Sequence, residues 1–545
     1  MTANYPLLIK RLLEAGLSRA PDQEIVYADT LRLSYRQFGE RVTRLAAGLS
    51  SLGIRPGHTV AVMDWDSHRY LECFFAVPMM GAVLHTINVR LSPEQILYTI
   101  NHAEDDLILV NAEFLPVLEQ IWDRVAPGKR LVLLEPPSGA EPSPLAFENE
   151  YEALMAASRP DFVFPELDEN TRATTFYTTG TTGLPKGVFF SHRQLVLHAL
   201  ALRGALAGTG QGRFNEGDVY LPITPMFHVH AWGLPYVATM LGVKQVYPGR
   251  YLPQRLVELI EREGVTFSHC VPTILQSVLD EAQTRGVSLQ GWTVVIGGAA
   301  LAQSLARRAL LMGVDVFAGY GMSETGPVLT LSQLTQSQLA AASLKGDLDT
   351  QVELRCRAGR PIAMVDLRIV DENMNDLPRD GQSAGELVVR APWLTQGYLG
   401  DAASSEQLWR GGWLHTGDIG VIDADGSLRI TDRIKDVIKT GGEWISSLAI
   451  EDLILRHPAV AEVAVIGVPD PKWTERPMAV VVSKPGQAVD ASDIKSRLGA
   501  FAAQGVISKY GVPEHIVFVD ALPKTSVGKV DKKLLRAQAR PLIQA

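Results

Sequence analysis

Residues 177–187 read YTTGTTGLPKG, which places three glycines, four threonines and one lysine within eleven residues. Glycine allows backbone conformations in which successive N–H groups point at one anion. Threonine hydroxyls add further polar atoms, and the lysine adds a mobile positive charge. The composition of this segment therefore predicts a loop that binds a polyphosphate.

The spacing of this loop differs from that of the common Walker phosphate loop. The Walker pattern requires a second glycine five positions after the first, then Lys and Ser or Thr. Counting from Gly180, that position holds Pro185, and Lys186 is followed by another glycine. A plain surface loop of glycine and threonine is the alternative. However, 188–190 predicts a strand and 193–206 a helix, so the loop is held between ordered elements.

The composition is that of a globular protein with several domains. The chain has 545 residues, 46% hydrophobic and 20% charged, with a formal net charge of −9. This length predicts about two to four domains. The negative charge disfavours nucleic acid as a partner. The three cysteines lie far apart, match no metal-ligand spacing and suit a reducing compartment.

We predict neither a secretory signal nor an integral membrane segment. Lys10, Arg11 and Glu14 place charges early in the chain, which argues against a secretory signal. The apolar run 73–83 is too short to span a bilayer and contains Pro78. We expect a cytoplasmic protein and leave peripheral membrane contact open.

The first 350 residues alternate predicted strands and helices, which indicates parallel sheets covered by helices. The predicted strands are 59–63, 82–85, 107–110, 244–247, 266–271 and 293–296, and the predicted helices include 69–78 and 93–103. Short alternating strands at 365–370, 385–389 and 428–431 then predict a small antiparallel β-unit. After 434 the pattern restarts over roughly 110 residues, enough for a separate core. We place a domain boundary at 432–435.

Two further segments between 220 and 330 carry polar groups. The segment 225–233 reads PMFHVHAWG, and its histidines suit either a binding pocket or plain core packing. The segment 319–326 reads GYGMSETG, where Tyr320 offers a stacking face and Glu324 a carboxylate that suits Mg²⁺. A glycine-rich turn is the alternative for the second segment.

Two more polar groups lie toward the C-terminus. Asp418, after a glycine, could accept two hydrogen bonds from a ribose diol, although Gly-Asp is also a common turn. Lys529 lies in a lysine-rich tail, where a lysine is usually a solvated charge.

Taken in order, these five motifs resemble the adenylate-forming superfamily, which includes acyl-CoA synthetases, adenylation domains of peptide synthetases and beetle luciferases. The resemblance runs from about Leu33 to Arg536. Within the superfamily the chain is most similar to bacterial medium- and long-chain fatty acyl-CoA synthetases. The segments that carry this similarity are MFHVHAWG at 226–233, TGD at 416–418, TDRIKD at 431–436 and GGEWIS at 441–446.

The resemblance implies an α/β fold with a large N-terminal domain (1–431) of two α/β subdomains and a small β-unit. A hinge (432–437) and a smaller, mobile α+β C-terminal domain (438–545) would follow. It also implies two half-reactions with ATP, Mg²⁺ and CoA. A carboxylic acid attacks the α-phosphate of ATP to give an acyl-AMP and pyrophosphate. The thiol of CoA then displaces AMP and forms a thioester.

The resemblance also implies roles for individual residues. The catalytic residues would be Lys529, Lys186 and His228, and Mg²⁺ would be held by Glu324 with Thr178. The acyl pocket would comprise His228, Trp232, Gly297, Gly298, Ala299 and Ala300. The hinge and CoA residues would be Lys435, Lys439, Gly441, Gly442, Glu443 and Trp444. The positions implied for ATP and AMP are Thr178, Thr181, Thr182, Gly183, Lys186, Gly319, Tyr320, Gly321, Met322, Ser323, Asp418, Arg433 and Lys529.

The sequence leaves the acid itself open. A medium- or long-chain fatty acid is the leading interpretation, and a short thioether acid or an aryl acid is the alternative within the same chemistry. His230 stands where similar proteins often have Asn, which leaves the polarity of the pocket open. An acyl-AMP ligase that loads a free-standing carrier protein, a nucleotide sensor and a luciferase-like oxygenase are less well supported. A homodimer is an expectation from the family alone.

Overall fold

The structure of the protein is a computed structural model. It describes residues 5–135, 143–178, 184–207, 213–332, 334, 338, 347–440, 443–487, 489–525 and 529–544. Within these residues no helix is both long and apolar enough to cross a membrane.

A seven-stranded sheet occupies the N-terminal part of the chain. Its strands pair in parallel except for the last two, which are antiparallel and flank the glycine- and threonine-rich loop. In spatial order they are Asn149–Glu150, Arg130–Glu135, Leu107–Asn111, Thr59–Met63, Val83–Thr86, Arg172–Thr178 and Lys186–Ser191.

A second sheet has nine strands, with a parallel centre and antiparallel pairs at both edges. In spatial order they are Arg360–Pro361, Val328–Leu331, Asp315–Gly321, Thr293–Ile296, Phe267–Cys270, Val219–Pro222, Lys244–Tyr247, Glu24–Tyr27 and Leu31–Ser34. One continuous apolar core joins the two sheets. Helix His68–Met79 contributes to this core, and every one of its residues is buried.

Helices cover the two large sheets, as alternating strands and helices require. They are Lys10–Arg19, Tyr35–Ser51, Pro93–Ala103, Leu115–Ile121, Tyr151–Ala157, His192–Ala207, Leu234–Leu241, Pro253–Glu263, Pro272–Arg285, Gln303–Leu311 and Leu348–Cys356. Short 3₁₀ turns lie at Ala112–Phe114, Trp122–Arg124 and Ser323–Thr325.

The small antiparallel β-unit is present as a four-stranded sheet. Its strands are Asp366–Val370, Gly385–Arg390, Leu414–Ile422 and Leu428–Arg433, with helix Ala402–Leu408 and the 3₁₀ turn Arg410–Gly412 between the second and third. The last strand is longer than predicted and includes the first two residues of the predicted hinge. The division into domains stays a prediction.

The C-terminal part has its own five-stranded sheet with apolar clusters on both faces. Its strands are Ile438–Thr440, Glu443–Ile445, Val460–Asp470, Thr474–Ser483 and His515–Phe518. Helices Ser447–Leu455 and Ala491–Ala503 pack on one face and Lys532–Gln544 on the other, and Lys509–Gly511 is a 3₁₀ turn. The predicted α/β class, with a larger N-terminal and a smaller C-terminal part, is confirmed.

Candidate active site

The polar motifs of the central sheet lie at the end of strand Asp315–Gly321. Gly321 closes that strand, and a Cβ on it would lie 1.7 Å from the carbonyl oxygen of Pro327, so only glycine fits. The 3₁₀ turn Ser323–Thr325 follows at once and carries Glu324, whose side chain is buried. A polar group is thereby fixed at the carboxyl end of a parallel strand, where α/β sheets bind ligands.

Tyr320, Asp418 and Arg433 form one hydrogen-bonded cluster. The Tyr320 hydroxyl donates to Asp418 Oδ2 at 2.7 Å, and Arg433 Nε donates to Asp418 Oδ1 at 3.1 Å. Strand pairing places Asp418 directly opposite Arg433, so the sheet itself sets the ion pair. The Asp418 carboxylate is buried and held in a fixed orientation. A fixed carboxylate that can accept further hydrogen bonds suits the diol of a ribose.

Glu324 is connected to Lys186 through Tyr398, a residue that the sequence analysis did not single out. The Tyr398 hydroxyl donates to Glu324 Oε1 at 2.8 Å, and Lys186 Nζ lies 4.6 Å from the centre of the Tyr398 ring. Lys186 Nζ also donates to Ser404 Oγ at 2.7 Å. Burial raises the pKa of Glu324. Tyr398 thus stands between the lysine of the loop and the carboxylate that was predicted to hold Mg²⁺ and contacts both.

The residues present fit a bound magnesium ion. Strand pairing places Thr178 opposite Lys186, so a threonine hydroxyl and a lysine flank the loop between them. Glu324 supplies a buried carboxylate, and Mg²⁺ usually takes one or two carboxylates together with phosphate oxygens. No cluster of three or more His, Cys, Asp or Glu suited to a metal occurs in the part of the chain that the structure describes. A site completed by substrate phosphates is consistent with both observations.

Lys529 lies between the Asp418 cluster and a cavity. Its Cε is 3.4 Å and its Nζ 4.0 Å from the place that a Cβ on Gly298 would take, and Gly298 has φ +77°. Burial, followed by the charge of Arg433, lowers the pKa of Lys529 to about 8, while the carboxylates of Asp418 and Glu324 act in the opposite direction. The lysine is therefore placed near both the nucleotide cluster and the cavity.

The cavity beside Lys529 holds about 470 Å³ of empty space, its open mouth included. Most of its lining is apolar carbon, with a smaller share of polar atoms. Burial, followed by the charge of Lys529, lowers the pKa of His228 to about 3, so this histidine is neutral at physiological pH. The lining residues are Arg90, Ile223, Thr224, Pro225, His228, Trp232, Tyr251, Val271, Thr273, Ile274, Gly298 and Lys529.

A left-handed turn sets the position of Trp232. Residues Val229–Trp232 have φ values of 49°, 53°, 47° and 59°. Such a conformation costs roughly 1–2 kcal/mol per non-glycine residue. The turn directs the Trp232 ring against Gly297, where a Cβ would lie 2.9 Å from the ring. The same turn directs the His230 side chain away from the cavity. Its ring is surrounded by the rings of Phe74, Phe176, Phe190 and Tyr236.

The structure brings together only part of the predicted acyl wall. Gly298 lines the cavity and Gly297 contacts Trp232, whereas Ala299 and Ala300 are exposed and do not line the cavity. Thr181, Thr182, Gly183, Gly441 and Gly442 lie outside the described residues.

Two of the predicted CoA residues, Lys439 and Trp444, lie on a hairpin that follows the predicted hinge. Strands Ile438–Thr440 and Glu443–Ile445 pair so that Lys439 is opposite Trp444. Lys435 and Lys439 are exposed, and neither lines the cavity.

The proteins to which this sequence is similar agree with the site and the fold described above. The AMP-binding enzyme family matches residues 13–399, and its C-terminal domain matches 449–529. A long-chain-fatty-acid–CoA ligase of Thermus thermophilus is 42% identical over 93% of this chain and 90% of its own length. A 3-methylmercaptopropionyl-CoA ligase of Ruegeria pomeroyi is 40% identical over 99% of this chain and 98% of its own length.

The comparison of structures agrees on the fold. The structure of an anthranilate CoA ligase, AuaEII, in complex with anthranoyl-AMP has a TM-score of 0.84 and 23% identity, covering 99% of this chain and 98% of that one. At this identity the likeness establishes the fold alone. The sequence match extends over most of the chain and includes both the loop at 177–187 and Lys529. The chain therefore belongs to the AMP-binding enzyme family.

Proposed function

We propose that the acid used by this enzyme is an aliphatic carboxylic acid of short to medium chain length. The enzyme is an AMP-forming acid–thiol ligase that uses ATP, Mg²⁺ and CoA and proceeds through an acyl-AMP. The observation that carries the proposal is the largely apolar cavity that begins at Lys529 and His228 and is bounded by Trp232.

The lining of the cavity limits the shape of the acid. Most of the lining is apolar carbon, which suits an aliphatic chain. Trp232 lines the cavity and packs against Gly297, so its ring closes one side of the space. A chain that extends past this ring requires Trp232 to move, which favours acids of short to medium length.

In the first half-reaction a carboxylate oxygen attacks the α-phosphorus of ATP. The new P–O bond forms as the bond to the β-phosphate oxygen breaks, and pyrophosphate leaves. Lys529 in its charged form would stand between the two anions as they meet, and Lys186 would stabilise the charge that develops on the departing pyrophosphate. Bound Mg²⁺ neutralises phosphate charge, and Glu324 with Thr178 would hold it. Neutral His228 would orient the acid by hydrogen bonding.

The nucleoside is held by the cluster at the end of the central strand. Asp418 and Arg433 would bind the ribose, and Tyr320, whose hydroxyl is fixed by Asp418, would present its ring to the adenine. Gly319, Gly321, Met322 and Ser323 would let the nucleotide approach the backbone closely. Because no protein side chain attacks the substrate, the machinery works through charge and position alone.

In the second half-reaction the sulfur of CoA attacks the acyl carbon. The C–O bond to AMP breaks, the thioester forms, and the thiol proton passes to solvent.

We propose that Lys435 is the hinge and that rotation there brings the hairpin with Lys439 and Trp444 toward the cavity. Domain movements of this kind commonly gate turnover. We also propose that the protein is located in the cytoplasm and forms a homodimer.

A panel of acids tests the proposal. Initial rates of CoA-dependent AMP and pyrophosphate formation would be compared on butyrate, octanoate, palmitate, 3-methylthiopropionate and benzoate. We expect octanoate or a shorter aliphatic acid to give the highest kcat/KM, with palmitate at least tenfold lower. A preference for palmitate would refute the length limit, and a preference for benzoate would refute the aliphatic assignment. AMP release without CoA would instead favour another acceptor.

A further inference from the structure

One buried carboxylate outside the nucleotide site contacts the wall of the cavity. Asp66 follows strand Thr59–Met63 and is 2% exposed. Its Oδ1 accepts a hydrogen bond from the Met226 N–H at 2.9 Å, and its Oδ2 accepts one from the Tyr251 hydroxyl at 2.5 Å. Its carbonyl oxygen also accepts from the Gly249 N–H at 2.9 Å. Asp66 therefore joins three separate stretches of chain.

Of the two groups that donate to the Asp66 carboxylate, one lines the cavity and the other lies between residues that do. Tyr251 lines the cavity directly. Met226 is fully buried and lies between Pro225 and the segment that carries His228, both of which line the cavity. Asp66 follows a strand of the seven-stranded sheet, whereas its partners follow strands of the nine-stranded sheet. A single carboxylate thus fixes two parts of the acid site against the neighbouring sheet.

The burial of Asp66 makes the loss of these hydrogen bonds energetically costly. Burial raises the pKa of Asp66 to about 7, and the hydrogen bonds from Tyr251 and Met226 oppose this rise. A buried carboxylate is strongly destabilised when its hydrogen-bond donors move away. The hydroxyl of Tyr251 and the N–H of Met226 are consequently held in place by the same group.

We propose that Asp66 is a positioning residue for the acid substrate. It holds Tyr251 and the 224–228 segment in the arrangement that shapes the cavity, and it acts on the acid only through them. The proposal rests on the proposed function in one respect, that this cavity is where the acid binds.

The test uses Asp66→Asn in the full-length enzyme. The amide can keep the hydrogen bond from Met226 but faces the Tyr251 hydroxyl without a negative charge. The assay is run at pH 8, where a carboxyl group of pKa about 7 is mostly ionised. Because hydrogen bonds to charged groups are strong, we expect KM for octanoate to rise about tenfold to a hundredfold in the variant. KM for ATP should change by less than about twofold, since the nucleotide cluster is separate from Asp66.

Asp64→Asn is the matched control. Asp64 lies two residues away and is equally buried, but its carboxylate accepts from Ser67 and Asn111, which do not line the cavity. We expect this variant to lose thermal stability and to keep the KM for octanoate. An equal rise of KM in both variants would overturn the proposal, because it would indicate a general loss of stability.

Tyr251→Phe provides a milder second variant that removes one of the two contacts. In a double-mutant cycle, Asp66→Asn and Tyr251→Phe should be non-additive in KM for the acid. An additive result, or an unchanged KM in Asp66→Asn, refutes the positioning role. If the acid panel ranks another acid above octanoate, the comparison is made on that acid. The Asp66 result and the chain-length result therefore remain separate.

Discussion

The low pKa of Lys529 predicts that the first half-reaction weakens in alkaline solution. The pKa of this lysine falls from 10.5 to about 8, first because of burial and then because of the nearby Arg433 charge. Only the charged form can neutralise the two reacting anions, so activity is lost as pH rises through about 8. The charged fraction is about 0.9 at pH 7 and about 0.1 at pH 9. The expected loss of kcat/KM for ATP between these values is about tenfold.

The measurement is ATP–pyrophosphate exchange from pH 6.5 to 10, with octanoate well below its KM for kcat/KM and saturating for kcat. The profile of kcat/KM reports the free enzyme, whereas kcat reports the enzyme–substrate complex. Bound ATP phosphates favour the charged lysine, so the alkaline decline of kcat should lie at higher pH than that of kcat/KM. His228 does not titrate in this range, since its pKa is about 3.

Two variants assign the alkaline decline to Lys529. In Lys529→Arg the guanidinium stays charged, so the decline should disappear even if the rate falls. In Lys529→Ala the first half-reaction should fall about 10²- to 10³-fold, and thioester formation from supplied acyl-AMP should persist. A wild-type profile that stays flat to pH 10 would refute the reasoning. So would an unchanged decline in Lys529→Arg.

Three other substitutions test the remaining parts of the site. Lys186→Ala should raise KM for MgATP about tenfold or more, measured by steady-state kinetics, because a charge-assisted phosphate contact is lost. Gly298→Ala places a methyl 3.4 Å from Lys529 Cε at φ +77°, so single-turnover acyl-AMP formation should fall about tenfold or more while thioester formation is spared. Trp232→Ala should shift the preferred acid toward palmitate, and no change in the acid panel would show that this ring does not limit chain length.

Much of the fold could be predicted because local pattern determines the buried strands. The strands 59–63, 244–247 and 293–296 have the predicted bounds, since short runs of β-branched and apolar residues between turns suit a sheet covered on both faces. Strand order was not predictable in the same way. Strand Arg172–Thr178 pairs with Val83–Thr86, far earlier in the chain, and only tertiary packing determines such a pairing.

The residues of the candidate site also fall into those that a local motif predicts and those that only tertiary packing brings together. Asp418, Arg433 and Lys529 were predicted from motifs that resemble a family. Tyr398 was missed, although it connects Lys186 to Glu324, because these partners lie far away in sequence and only tertiary packing brings them together. Asp66 was missed for the same reason, since Met226 and Tyr251 are also distant in sequence.

The left-handed turn at Val229–Trp232 is the feature furthest from what the sequence could predict. Valine is β-branched and avoids positive φ, and none of the four residues is a glycine or asparagine. The conformation is imposed by the surroundings: His230 is enclosed by aromatic rings, and Trp232 packs on a glycine that leaves space for it. Local preference and tertiary packing conflict here, and such conflicts are expected at functional sites. The acid cavity is where this conflict occurs.

The position of Lys529 also bears on the two half-reactions. With the lysine against Gly298 and near the charges of Asp418 and Glu324, the arrangement is the one that the proposed formation of acyl-AMP requires. Lys439, on the hairpin that follows the predicted hinge, does not line the cavity in this arrangement. Across the predicted hinge, Asp432 Oδ2 accepts from the Ser447 N–H at 2.6 Å, and Ser446 Oγ donates to the Thr431 carbonyl at 2.5 Å. A rotation at Lys435 would have to break these contacts, so they stabilise the adenylating arrangement relative to the one that forms the thioester. Their strength therefore helps to set how readily the enzyme passes from one half-reaction to the next.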